Sequence, residues 1–553
     1  MSQGIHANPV EALSETVSPE GGYVSDIVFR TGVVSDQMPV TLNYVALLMG
    51  YVPRVPTAEL AQRDFAYLDL GCGEGTTLLA LASLYPKARF TGVDFNADHV
   101  REARDAAAAL ALDNLTFIEA SFLSLESLAL GAFDYIACNG IYGWLDPENQ
   151  TAVDAFVGAH LAPQGLFYVE YLSMPGKAPV AALWHFIQTL TPPSAEQSSR
   201  ERAEQALQLL ERLSRRGLDF LARNPAALMA ARNYLGGSKR EDYRIDHFAH
   251  NALAEFFRPR YFTEIHDQLT RQALEFVGRS RLPLNDLELA VPPMQVPTFL
   301  DIREVAQREL LKDFIRNEHD RQDIWILRGV SDEAQARAQF GADFAILPRT
   351  PREKLVRKVS APGGHALGLM GPGYERLIEA SMQAPCRPAD MSEFQTAPQR
   401  VIKSFNRLVA SGQFFLVTRP ALVDLEAACP LNTSDVLWLN LPFNTWQLRR
   451  NAERLQDTQL VAEACDGVAL RLSALETRLC ECWTRLPAGQ VVEAVVQALN
   501  ALGDRQIPVG EAYKSARSVT TADLDPVWDE FRQVRLLNLL RLGMGRVLPG
   551  QGG

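Results

Sequence analysis

Short apolar runs alternate with amphipathic stretches over the first 170 residues. Runs at 66–70, 89–93, 114–119, 133–138 and 166–171 have the length of buried strands and are bounded by turn formers. Between them, 76–85, 97–111 and 150–161 have helical length and spacing. Strands alternating with helices predict an α/β fold, a parallel sheet covered on both faces. Ahead of the first strand, 40–49 also has helical spacing, and Tyr23 and Phe29 precede it as residues that either line a site or pack in the core.

The pattern changes near residue 190. Thr191-Pro-Pro-Ser-Ala-Glu196 reads as a linker. Beyond it, 199–213 forms an amphipathic helix with Ala203, Leu207, Leu210 and Leu213 near one face. Helical patterning continues at 220–231, 250–257 and, after a Pro-rich crossing at Pro292 and Pro293, at 301–317. Further on, 344–347 and 355–359 read as strands, 374–382 and 399–411 as helices, and 412–417 as a strand, an order that fits a winged helix. The remainder, 440–545, reads as helical, most clearly at 491–499. The expected organisation is a loose N-terminus (1–20), a sheet domain (21–190), a mainly helical domain (191–330) and an α+β C-terminal region (331–553).

Composition narrows the function classes. A chain of 553 residues with 47% hydrophobic content can bury several cores. A net charge of −12 argues against an extended nucleic-acid surface, and Arg400, Lys403 and Arg407 on the 399–411 helix read as a protein contact or plain structure. No apolar run approaches the ~20 residues of a membrane span. No secretory leader is visible, and seven scattered cysteines suit a reducing, cytoplasmic setting. Cys480-Glu-Cys482 reads as buried thiols, and nine histidines without metal-ligand spacing predict no metal. His247 and His250 could reach a substrate, but core or surface roles are the favoured reading.

The chemistry concentrates in Tyr67-Leu-Asp-Leu-Gly-Cys-Gly-Glu-Gly75, an apolar run that ends in alternating glycines and then opens a helix. Glycines at 71, 73 and 75 permit a tight turn and close approach of backbone to a ligand. A dinucleotide site wants G-x-G-x-x-G, but position 76 is Thr, and a carboxylate at Asp69 would repel a pyrophosphate. Asp69 suits a ligand with a cationic amino-acid end. Asp94 ends the second run, about 20 residues beyond the turn, where a carboxylate accepts from ribose hydroxyls.

Together these features resemble the class I S-adenosylmethionine-dependent methyltransferases. The resemblance implies a Rossmann-like sheet and S-adenosyl-L-methionine as cofactor. It places cofactor contacts at Asp69, Gly71, Gly73, Gly75, Asp94 and Phe95, at Ser121 and Phe122 beside the adenine, and at Asn139 and Gly140. In the stretch after the fourth strand, Asn139-Gly-Ile-Tyr-Gly-Trp144, there is no Asn/Asp-Pro-Pro-Tyr element of the DNA adenine enzymes. Tyr142 and Trp144 instead present aromatic faces that could wall an acceptor amine, and Glu170, ending the fifth strand, is a candidate for its proton.

The stretches 133–144, 161–165 and 171–176, with 249–262 and 308–317, are similar to bacterial methyltransferases carrying a methyltransferase regulatory domain, a family that includes lysine methylators of outer-membrane proteins. This similarity covers roughly 20–330. Asn139 stands where members often have His, and Lys177 where they commonly have Trp. The leading expectation is an enzyme that methylates protein lysine by SN2 transfer. The alternatives are a small-molecule or glycan methyltransferase and a non-catalytic cofactor-binding regulator, with an oxidoreductase last.

Overall fold

The computed structural model describes residues 24, 26–27, 29, 32–194, 196–235, 241–419, 432–504, 506–509 and 512–549. The loose terminus expected at 1–20, together with Tyr23 and Cys429, lies outside them.

One sheet organises the molecule. Its parallel strands are β1 (Ala66–Leu70), β2 (Arg89–Asp94), β3 (Leu115–Glu119), β4 (Phe133–Cys138) and β5 (Leu161–Leu172). Two more, β6 (Leu274–Arg279) and β7 (Asp320–Leu327), complete the order 3-2-1-4-5-7-6, with β7 antiparallel to both neighbours. Helices α1 (Pro39–Leu48), α2 (Thr76–Leu84) and α3 (Ala97–Ala109) cover one face. The other face packs on α4 (Pro147–His160) and, later in the chain, on the helix Phe262–Thr270. This is the Rossmann-like class I methyltransferase sheet.

The last two strands fall within 191–330, the stretch that reads as mainly helical. β7 is Asp-Arg-Gln-Asp-Ile-Trp-Ile-Leu, so half of a buried strand is polar and reads as loop. The polar half is buried because it is paired. Arg321, fully buried, reaches Asp313 Oδ1 at 2.7 Å, Asp323 Oδ2 at 3.0 Å and Glu309 Oε2 at 3.1 Å.

Between β5 and β6 the chain leaves the sheet. α5 (Ala178–Leu190), α6 (Ser199–Arg215), α7 (Asp219–Arg223), α8 (Pro225–Leu235) and α9 (Glu241–Ala252) form a helical lobe with its own core around Trp184, Leu210 and Phe248. The helix expected at 220–231 is split at Asn224–Pro225, because proline fits only the first turn of a helix. α6 begins at a capping box between Ser198 and Glu201, and buries Ala203, Ala206, Leu207 and Leu210.

The C-terminal region is α+β. After a helix Glu333–Asp343 that the pattern did not predict, strand Ala345–Pro348, a short strand Lys358–Ser360, helices Pro372–Gln383 and Pro398–Ala410 and strand Phe414–Val417 follow in the expected order, and the first and last of these strands pair antiparallel. Lys403 and Arg407 of the basic cluster bond Asp286 and Glu288. The stretch read as all-helical beyond 440 contains the hairpin Thr458–Ala462 with Gly467–Leu472, turning at Asp466-Gly467, a dipeptide that itself signals such turns. Further strands pair at Gln506–Val509 with Ala512–Ser515, and at Val436–Leu439 with Gly545–Leu548. This region reaches the sheet domain through Tyr85 Oη donating to Asp466 O at 3.0 Å, and through Arg450, which pairs with Glu74 inside the glycine turn.

Six cysteines are buried free thiols. No group of metal-ligating side chains occurs among the described residues, and no helix among them is long and apolar enough to cross a membrane.

Candidate active site

The carboxyl ends of β1, β2, β4 and β5 open onto a cavity of about 480 Å³ that continues into the helical lobe. Ligands of open α/β sheets bind at this end. The β1–α2 turn holds Gly71, Gly73 and Gly75 at φ of +74°, +55° and +70°. A Cβ on Gly71 would sit 2.6 Å from Ile141, and one on Gly75 would sit 2.3 Å from the Phe117 ring. At Gly73 the nearest atom would be 3.9 Å away, so this glycine presents bare backbone to the cavity.

Asp94 ties the turn to β2. Its Oδ2 accepts from Gly73 N at 2.8 Å, and its Oδ1 accepts from Asn96 N at 2.9 Å and lies 3.3 Å from His99 Nδ1. His99 Nε2 in turn accepts from Phe29 N at 2.9 Å, which ties the N-terminal segment to the cavity wall.

Asp69 is buried at the end of β1, and its Oδ2 accepts from Gln37 Nε2 at 3.1 Å. Burial pushes its carboxyl up to about 7, Gln37 opposing and the charge of Asp94 adding to the rise. The Gln37 Oε1, also buried, has no partner among the described residues. A carboxylate and an orphaned carbonyl facing one cavity fit an ammonium group, as the amino-acid end of S-adenosylmethionine requires. With the cofactor ammonium on the ionised carboxylate, affinity for the product S-adenosylhomocysteine is expected to fall below the Asp69 pKa. It should rise roughly tenfold between pH 6 and pH 8. Calorimetric titrations across that range check this, with Asp69→Asn expected to flatten the profile.

Phe95, Ser121 and Phe122 line the cavity on the side of β2 and β3. Ser121 Oγ accepts from Leu123 N at 3.3 Å, which leaves its hydroxyl proton to donate. Asn139 and Gly140 line it from the end of β4, with Asn139 Oδ1 accepting from Tyr168 Oη at 3.0 Å. A Cβ on Gly140 would stand 3.8 Å from Glu170 Oε2, which sets the Glu170 carboxylate against this loop. Burial, reinforced by Asp320 and Asp36, holds Glu170 above the usual carboxylate range, while Gln322 opposes the rise.

Trp144 lines the cavity, edge-on to Phe257 with ring centres 6.0 Å apart, and its indole Nε1 has no partner among the described residues. Tyr142 does not line it. A single 3-10 turn, Tyr142–Trp144, sends the two rings to different sides. Tyr142 is fully buried in the core under α4, its Oη donating to Asp154 Oδ1 at 2.9 Å. Gly75 also stands outside the lining and serves the turn alone.

Several lining residues carry no local sequence signal: Gln37, His99, Lys177, Tyr234, Asn251 and Asp320. Of the two histidines read as core or surface, His250 is core. Its Nε2 donates to Ile27 O at 2.9 Å, and burial pushes its pKa down to about 4. His247 instead lines the cavity, with Nδ1 2.9 Å from Tyr234 Oη.

Residues 61–225 fit a family model described as a methyltransferase domain, and 246–327 one described as a predicted methyltransferase regulatory domain. An uncharacterized protein of Synechocystis is 24% identical over 524 residues, covering 95% of this chain and 99% of its own. The trans-aconitate 2-methyltransferase of Afipia carboxidovorans is 32% identical over 104 residues, 19% of this chain and 35% of that one. Among solved structures, PKMT2 from Rickettsia typhi in complex with AdoHcy superposes with a TM-score of 0.61 at 17% identity, covering 93% of this chain and 99% of that one.

Proposed function

We infer that this class I S-adenosylmethionine-dependent methyltransferase, which carries a methyltransferase regulatory domain, transfers its methyl group to the side-chain amine of a protein lysine. The observation that carries the reading is Glu170, a buried carboxylate of raised pKa set against the Asn139–Gly140 loop, in the same cavity as Trp144 and the glycine turn.

Bound S-adenosylmethionine supplies an electrophilic methyl on a sulfonium, and its loss leaves S-adenosylhomocysteine. The chain's own residues prepare the acceptor. A lysine amine, with a pKa near 10.4, must shed a proton before it can attack. A carboxylate whose pKa is raised toward neutrality is a better base than an exposed one, and Glu170 accepts that proton. The Trp144 face attracts the ammonium on arrival and would orient its nitrogen for attack. As the new N–CH3 bond forms, the S–CH3 bond breaks. The Gly73 backbone, Asp94, Asp69 and Gln37 hold the cofactor at the other end of the cavity.

The test is transfer of labelled methyl from S-adenosylmethionine into the protein and small-molecule fractions of a cell extract, with label in protein mapped by mass spectrometry. Label at lysine supports the reading, and label confined to small molecules overturns it. Trp144→Ala is expected to lower kcat/KM for the protein acceptor by roughly tenfold, the order of a desolvated cation–π contact, with cofactor affinity unchanged. Turnover equal to wild type would remove Trp144 from the acceptor site.

A further inference from the structure

β5 and β7 run antiparallel with Glu170 opposite Gln322 and Leu172 opposite Asp320. Residues two apart along a strand share a face. Glu170, Leu172, Gln322 and Asp320 therefore stand on one side of the sheet, where β5 ends at the cavity, and Glu170, Leu172 and Asp320 line it. Gln322 is 1% exposed. Its Nε2 donates to Glu170 Oε1 at 3.0 Å, and its Oε1 has no partner among the described residues. Gln322 itself does not line the cavity; it stands behind Glu170 and holds one oxygen of that carboxylate in place.

A cation already sits on Asp320. Lys177 lines the same cavity, with Nζ 3.1 Å from Asp320 Oδ1. Backbone bonds hold this lysine over the strand: Ser173 N donates to His319 O at 2.8 Å, and Gly176 N to Glu318 O at 2.9 Å. Two carboxylates near one another in a partly buried site favour a cation between them.

We propose that Asp320, with Glu170 beside it, forms the subsite that holds the alkylammonium of the acceptor, and that Lys177 is an internal cation occupying it until the acceptor arrives. This deepens the lysine reading above and rests on it. An arriving ammonium exchanges one N–H···O contact on Asp320 for another. Lys177, on a flexible stem and 22% exposed, can swing toward solvent. The acceptor, held by Asp320, is then positioned to give one proton to Glu170.

The test measures equilibrium binding of Nα-acetyl-lysine methylamide to the full chain saturated with S-adenosylhomocysteine. Asp320→Asn is expected to weaken binding by about tenfold, the loss of a charge-assisted bond. Lys177→Met is expected to tighten it by about threefold. The double variant should match Asp320→Asn, since Lys177 acts through Asp320. Asp320→Glu should retain binding and so controls for misfolding, as does unchanged affinity for S-adenosylhomocysteine in every variant. Equal binding across the set overturns the subsite. So does loss of binding in Lys177→Met with Asp320→Asn unaffected. Binding is read without turnover, so the two readings fail separately. Asp320-dependent binding in a protein that methylates no lysine removes the lysine reading alone. Lysine methylation by a protein whose binding ignores Asp320 removes the subsite alone.

Discussion

Asp94→Ala lowers affinity for S-adenosylhomocysteine by about a hundredfold. The side chain holds two backbone N–H groups at once, Gly73 N and Asn96 N, and meets the His99 ring that anchors Phe29. Ribose hydroxyls donating to a charged acceptor are worth about 1.5 kcal/mol or more each, so losing two such contacts to the ligand amounts to about 3 kcal/mol, or two decades in affinity. The loss is greater than removing a ribose contact alone, because Gly73, where an added Cβ would meet nothing nearer than 3.9 Å, presents bare backbone to the cavity and is no longer pinned. Asp94→Asn keeps an acceptor on one side only and should fall between the two. Calorimetric titration checks both variants, alongside thermal unfolding to show that each remains folded. An Asp94→Ala protein that binds within threefold of wild type would mean the turn is held by its neighbours and not by this carboxylate.

Arg321→Ala destabilises the fold by about 3–5 kcal/mol, the cost of leaving buried acids without their cation. Asp313, Asp323 and Glu309 all close on this guanidinium, which also lies 4.2 Å from the centre of the Phe262 ring. Tyr171 Oη donates to Asp323 Oδ2 at 2.7 Å, so the damage reaches β5 next to Glu170, and activity falls together with stability. The pH dependence follows from the sign of the shift. Burial holds the Asp313 carboxyl up, at about 6, even with Arg321 in place. A group raised in the folded state costs stability as pH climbs through its folded pKa, so the variant's deficit should be smaller at pH 5 than at pH 8. Denaturant melts at the two pH values measure it. Replacing Arg321, Asp313 and Glu309 together by apolar residues should recover much of the loss, since a buried ionic cluster is often no more stable than a well-packed apolar one.

The elements legible in the sequence were those whose signal is local. β1, β2 and β4 are apolar runs with turn formers at their ends, and the Gly71–Gly75 turn announces itself because only glycine accepts three positive φ values so closely spaced. β7 was hidden because Arg321, Gln322 and Asp323 are buried by mutual pairing, which a hydropathy pattern cannot register. The site divides in the same way. Asp69, Asp94, Asn139 and Gly140 sit at strand ends and could be placed by position along the chain. Gln37, Tyr234, His247 and Asp320 reach the cavity from segments up to hundreds of residues apart, and no spacing links them. Tyr142 was misplaced because the tight turn of Tyr142–Trp144 separates two aromatics that a linear reading puts side by side.

The position of β7 between β5 and β6 also has a consequence for biogenesis. A ribosome delivers β1 to β5 long before residue 320 is made, and in that interval β5 is an unpaired edge, a template for wrong partners. The nascent chain must carry this open edge through the whole synthesis of the helical lobe. A fragment ending near residue 190 would keep it open permanently and aggregate, whereas one continuing through residue 327 carries the strands that close it.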